Sequence, residues 1–298
     1  MNRNDVSWHG ILVVMVTPFT REGGVDEHSY RRMLELCLAD GAHGIITCGS
    51  TGEFYVLTPE ERRRLYQITV EQVRGRVPVI AGTSGISVED VVSLGQAAAR
   101  CGIDGMMILP PYYAMPNERE ILAFFQEISD RVPLPIMLYN GTRRTGVNLT
   151  PRLVSRLADI DRVVAIKDSS KDFLQVCELI HNVGDRLRIF TGFESMLLGT
   201  LAMGGDGAVA MAPQAMGRIP VDLYEAMMRG DLTRARELQK KVSRFYDVFA
   251  IGNNYSGLKE AINQAGRPAG FPRKPLLPLT AEEREQVRSI LQELGLSA

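Results

Sequence analysis

Val163-Val164-Ala165-Ile166-Lys167 is an apolar, β-branched run that closes on a lysine, and its surroundings decide the fold. Runs of this kind recur along the chain, each followed by a longer segment with helical spacing and a start signal. Just before it, Pro135–Tyr139 leads into a helix opened by Thr150-Pro151. The run itself leads into a helix beginning near Asp172. Just after it, Arg188–Thr191 leads into a helix near Ser195–Met203, and Gly207–Met211 is one more strand.

The same alternation extends back to the start of the chain. Ile11–Thr17 precedes a helix over Asp26–Asp40, and Gly44–Cys48 precedes a glycine-rich loop and a helix opening at Thr58. There Thr58 and Glu61 have capping-box spacing, and Pro59 takes the first helical position, where its missing N–H costs nothing. Val77–Thr83 is followed by Ser87 and Asp90, and Gly105–Leu109 by Asn117 and Glu120, two further helix starts. Eight strands alternating with helices require a parallel sheet, because parallel neighbours need helical crossovers. Eight units predict closure into a (β/α)8 TIM barrel, with a doubly wound open sheet as the competing arrangement. Beyond strand eight only helices are expected, over Pro220–Met228, Leu232–Phe249, Ser256–Ala265 and Ala281–Glu293, with the proline-rich Gly270–Pro278 as a surface connection. The expected division is a barrel over 1–217 and a C-terminal helical extension, packed on it, over 218–298.

Composition excludes several classes of function. A net charge of −1 leaves no electrostatic footprint for nucleic acid or an anionic membrane. The densest basic run, Arg62-Arg63-Arg64, lies in a helical pattern beside Glu60 and Glu61 and reads as a solvated face. Cys37, Cys48, Cys101 and Cys177 are far apart, as are the four histidines, so neither a disulfide framework nor a metal site is expected. The opening MNRNDVSWHG has no apolar core of a signal peptide, and Ile11–Val16 is too short to span a bilayer. A cytoplasmic protein is the expectation.

In a barrel of this kind, chemistry sits at the C-terminal ends of the strands. Alternation places Val163, Ala165 and Lys167 on one face. If that face lines the lumen, the lysine reaches its top. Burying an ammonium is costly, and a neutral amine is a nucleophile toward carbonyls. The competing reading is a lysine paired with Asp168, but adjacent strand residues point to opposite faces. The loop Gly49-Ser50-Thr51-Gly52-Glu53 offers hydroxyls and exposed N–H groups to a carboxylate, or is an ordinary turn. Tyr139 ends strand five, and its loop carries Arg143 and Arg144, either surface charge or a bidentate clamp for a carboxylate. Gly192 at the tip of strand seven permits close approach of a ligand. Glu194 either meets substrate hydroxyls or amines, or is a first-turn acid favoured by the helix dipole. Pro110-Pro111-Tyr112-Tyr113 borders the same rim.

Taken together, GSTGE at Gly49–Glu53, Tyr139-Asn140 with Arg144-Thr145-Gly146, IKDSS around Lys167 and MGGDG at Met203–Gly207 resemble the dihydrodipicolinate synthase/N-acetylneuraminate lyase family from about Gly10 to Leu279. The resemblance implies a class I mechanism without cofactor or metal, acting on a 2-oxo acid such as pyruvate and an aldehyde such as aspartate semialdehyde. It implies that Lys167 forms an imine with the 2-oxo acid and that Tyr139 shuttles protons. Ser50 and Thr51 would relay protons or bind the carboxylate. It further implies that Tyr113 completes the relay from a neighbouring subunit in a homo-oligomer, commonly a dimer of dimers. Arg144 would hold the second substrate's carboxylate, and Val209 would bring a main-chain carbonyl near the imine. The chain departs from the pattern at Ser50, where synthases usually have threonine, in the loop after Asn140, which lacks the usual proline, and at Glu194, where aspartate is common. Met211 stands where sialic acid lyases carry serine. Cleavage or dehydration of 2-oxo-3-deoxy sugar acids and deamination of hydroxylated pyrroline carboxylates use the same lysine and stay open. So does a barrel that binds a 2-oxo acid without turnover.

Overall fold

A computed structural model describes residues 1–296. The apolar runs form strands β1 (Gly10–Val14), β2 (Gly44–Thr47), β3 (Val79–Gly82), β4 (Gly105–Ile108), β5 (Ile136–Asn140), β6 (Val163–Asp168), β7 (Arg188–Thr191) and β8 (Gly207–Ala210). Every neighbouring pair is parallel, and β1 pairs with β8 through Gly10–Gly207 to Val13–Ala210. That pairing closes the barrel and removes the open-sheet alternative. β1 ends earlier than its apolar run because the Val16 N–H leaves the ladder and donates to the Gln214 side chain at 2.8 Å.

The intervening helices are α1 (Glu27–Ala39), α2 (Pro59–Val73), α3 (Val88–Arg100), α4 (Glu118–Arg131), α5 (Thr142–Thr145), α6 (Pro151–Leu157), α7 (Phe173–Val183) and α8 (Leu197–Ala202). Their starts follow the caps. Thr58 with Glu61 and Asn117 with Glu120 form reciprocal capping boxes, and Ser87, Thr150 and Asp172 each accept a first-turn N–H. The basic run in α2 is only partly solvated. Arg63 and Arg64 face out, whereas Arg62 is buried and donates to the Gly82 and Ser84 carbonyls at 2.8 and 3.1 Å, closing off the end of β3.

After β8 come α9 (Pro213–Met216) and α10 (Ile219–Met228), and α10 packs on β1 and α8 in the place of an eighth barrel helix. The later helices α11 (Leu232–Phe245), α12 (Asn254–Gln264) and α13 (Ala281–Leu294) pack on one another and against α8 and α9. They share one continuous apolar core with the barrel: Leu238, Phe245, Leu258 and Ile262 of the tail are as buried as the strands. A 3-10 turn at Tyr246–Ala250 and the start of α12 bring the tail over the C-terminal ends of the strands.

Candidate active site

A cavity of about 590 Å³ opens at the C-terminal ends of the strands. Its floor is built by β5 and β6, where Tyr139 and Lys167 are direct partners across the parallel ladder. A bulge at the start of this pairing leaves Val164 without a β5 partner, so the alternation that orients Lys167 runs from Ala165 onward. Lys167 and Ser169 both line the cavity, as an i, i+2 pair on one strand face must. The lysine is only 5% exposed, and its Nζ lies 4.1 Å from the centre of the Tyr139 ring.

Asp168 faces the other way and is fully occupied. It accepts from Asn140 Nδ2 at 2.7 Å, Gln175 Nε2 at 2.9 Å and the Ser170 N–H at 3.0 Å. These bonds fasten β5, β6 and α7 together and leave Lys167 without a carboxylate partner. The Tyr139 phenol sits below its ordinary pKa. Burial pushes it up, but the Lys167 charge, Ser50, Arg144 and Ser169 together outweigh burial. The Ser50 hydroxyl is buried beside this phenol and that of Tyr255, and it has no hydrogen bond of good geometry among the described residues. Ser50-Thr51-Gly52 is a 3-10 turn, with Thr51 lining the cavity.

Gly192 packs directly against the lysine. A Cβ there would stand 2.9 Å from Lys167 Cε and overlap the Ser169 hydroxyl, so any side chain would displace one or both of these side chains. Arg144, in the short helix α5, stacks on the Tyr255 ring at 4.7 Å. Arg143, Arg144 and Lys171 all line the cavity, none of them forms an ion pair among the described residues, and the wall contains no carboxylate. The site is therefore electropositive.

Three residues marked out by sequence lie elsewhere. Glu194 is fully buried and turned away from the cavity. It accepts from the Met211 and Ala212 N–H groups at 2.5 and 2.7 Å and from the Tyr246 hydroxyl. The expectation that it meets substrate is corrected: its acceptors are taken by the start of α9 and by the tail, and burial raises its pKa. Val209 lies within β8 opposite Leu12, with its side chain in the core. Tyr113 is 93% exposed with a left-handed backbone (φ 72°), and it contributes nothing to the cavity of its own chain. Conversely, Tyr246, Asn253, Asn254 and Tyr255 line the cavity without having drawn notice in the sequence. Ser169 could have been found by extending the alternation two residues past Lys167.

A model of the dihydrodipicolinate synthetase family matches residues 7–294. The chain belongs to that family. It is 37% identical over 291 residues to a 4-hydroxy-tetrahydrodipicolinate synthase of Methanoculleus marisnigri, covering 97% of this chain and all of the relative. It is 34% identical over 287 residues to the enzyme of that name from Thermodesulfovibrio yellowstonii, covering 96% and 98%. Among solved structures, a prophage protein of this family from E. coli K12, in complex with pyruvate, superposes with a TM-score of 0.95 at 31% identity, covering 98% of this chain and all of that one. A dihydrodipicolinate synthase from Bacillus anthracis gives 0.93 at 33%, covering 96% and 98%. Family membership makes the chain an enzyme of the class I aldolase type. Among the described residues no cluster of three His, Cys, Asp or Glu side chains could hold a metal, and no helix is long and apolar enough to cross a membrane.

Proposed function

We propose that the protein condenses pyruvate with a small acidic aldehyde, of the aspartate semialdehyde type, through an imine on Lys167. The observation that carries this reading is Lys167 beside Tyr139 in an electropositive cavity without carboxylates. In this scheme Lys167 Nζ adds to the C2 carbonyl carbon of pyruvate. Tyr139 donates its phenolic proton to the oxygen as Nζ adds, recovers one from the nitrogen, and donates again to the carbinolamine hydroxyl, which leaves as water. The protonated imine draws electrons from C3, the Tyr139 phenolate takes a C3 proton, and the resulting enamine attacks the aldehyde carbon while the phenol passes that proton to the aldehyde oxygen. Hydrolysis of the product imine frees the lysine.

Ser50 and Thr51 bind the 2-oxo acid carboxylate and pass protons between the phenols; the unpartnered Ser50 hydroxyl supports this role. Gly192 supplies the room in which C2 meets Nζ, and the Val209 carbonyl faces the imine. Arg144 holds the carboxylate of the acceptor. Tyr113 completes the proton relay of a neighbouring subunit in a homo-oligomer, a dimer of dimers, located in the cytoplasm. Its exposure and costly left-handed backbone support that placement, since a bulky side chain at positive φ persists where function holds it. The barrel and its extension work as one catalytic body, because the tail forms one wall of the cavity.

A second reading keeps the imine but takes a 2-oxo-3-deoxy sugar acid for cleavage or dehydration. Asn253, Asn254 and Lys171, which line the same cavity, favour it by offering donors and acceptors to hydroxyls. Steady-state assays with pyruvate and paired charged and uncharged aldehydes separate the two. Arg144→Ala should raise KM for the acidic aldehyde by about 10- to 100-fold while leaving the uncharged one within a few-fold. Equal effects on both aldehydes, or turnover of sugar acids exceeding condensation, would overturn the first reading.

A further inference from the structure

Behind the cavity wall lies an ion pair that the reaction scheme does not use. Lys259 Nζ stands 2.5 Å from Glu53 Oε1, with side-chain exposures of 1% and 0%. The ammonium donates to the Thr17 carbonyl at 2.7 Å and to the Phe271 carbonyl at 2.8 Å, and it meets Glu53 as an ion pair. Glu53 Oε2 accepts the Arg273 N–H at 3.1 Å, and the Thr17 hydroxyl donates to the Gly52 carbonyl at 2.7 Å. Four segments meet at this point: the end of β1, the turn carrying Ser50 and Thr51, the connection through Phe271 and Arg273, and α12.

Both ends of the pair continue into the cavity. Glu53 directly follows the Ser50–Gly52 turn and closes it in a left-handed conformation (φ 54°), which is uncommon for a residue with a side chain. Lys259 lies one helical turn beyond Tyr255 on α12, so fixing its ammonium fixes the ring that Arg144 stacks on and that borders Ser50. A buried ion pair is a poor device for stability, because desolvation offsets the attraction and apolar residues of similar volume serve as well. Lys259 follows that rule. Burial lowers its pKa to about 8 against the upward pull of Glu53, with Arg273 adding to the lowering. The uncharged Phe19 ring also stands against the ammonium, 4.5 Å from Nζ to its centre.

We propose that Glu53 and Lys259 are positioning residues for the condensation, their ion pair holding the Ser50–Gly52 turn and Tyr255 in the geometry the bound 2-oxo acid requires. The proposal rests on the imine reading, and the test separates them. The full-length protein and its Glu53→Gln, Lys259→Met and double variants are compared for pyruvate KM, kcat and the rate of borohydride trapping by pyruvate. The double variant removes both charges together and leaves neither buried alone. For the double variant the expected result is a pyruvate KM raised about tenfold or more and slower trapping, in protein whose far-UV spectrum and Tm stay near wild type, since small misplacements of a binding group carry penalties of that order. A wild type that does not trap overturns the imine reading and this proposal with it. A wild type that traps, beside folded variants with unchanged KM and trapping rate, overturns the positioning role alone. If the double variant does not fold, Glu53→Asp decides: its carboxylate, one methylene short, should raise KM in folded protein, whereas a purely structural pair would lower Tm and leave KM unmoved.

Discussion

Tyr139 is held between opposing influences, and their balance has a kinetic signature. Burial disfavours the phenolate, but Lys167, Ser50, Arg144 and Ser169 favour it more, so the phenol loses its proton below its ordinary value of 10. A relay that needs the protonated phenol fails as pH rises through that lowered value. The alkaline limb of kcat/KM should therefore turn down below pH 10, and Tyr139→Phe should lower the rate about 10²- to 10⁴-fold and abolish that limb. A pH profile of both proteins checks this. Gly192 gives a second prediction at the same scale. Because a methyl group would meet Lys167 Cε at 2.9 Å, Gly192→Ala should reduce kcat/KM by about 10²-fold while the barrel stays folded, as kinetics and a melting curve would record.

Among the elements, the strands were the most legible and the tail the least. β7 matches its expected span, and β2 through β6 differ from theirs by one or two residues at one end or both, because fully buried parallel strands must be short apolar runs. Lys167 was legible for the same reason, since alternation within β6 fixes its face. Glu194 was not: β7 ends at Thr191, the chain turns into a 3-10 helix, and period-two reasoning no longer says where a side chain points. Arg62 went unrecognised because a charge run hides the one member whose angle on α2 turns it inward. The α12 contribution left no local trace, since Tyr255 and Lys259 acquire their roles from partners far away in sequence. That helix carries its own pH signature. Lys259 has a folded pKa of about 8 against 10.5 when unfolded, so between those values the unfolded chain binds more protons and stability rises with pH. Relative to Lys259→Met, the wild type should gain up to about 3 kcal/mol from pH 8 to 10.5, measured by denaturant unfolding at each pH.

For the whole molecule, the seam between barrel and extension matters as much as the barrel. Glu194 ties them: it receives the first N–H groups after β8 and the Tyr246 hydroxyl, while Gln239 of α11 donates to its carbonyl at 3.0 Å. Glu194→Gln keeps an acceptor for these groups and should leave turnover of every substrate within a few-fold. Glu194→Ala strands buried donors and should cost about 2–4 kcal/mol, read by chemical denaturation. A selective loss of one substrate in Glu194→Gln would contradict its placement away from the cavity. The proposed chemistry runs through one atom, Lys167 Nζ, and the most direct test addresses it. Wild-type protein incubated with pyruvate and borohydride, then digested and weighed, should carry on Lys167 the mass of pyruvic acid less one oxygen, and Lys167→Ala should carry none. An unmodified Lys167, or equal labelling of the Lys167→Ala protein, would contradict the account.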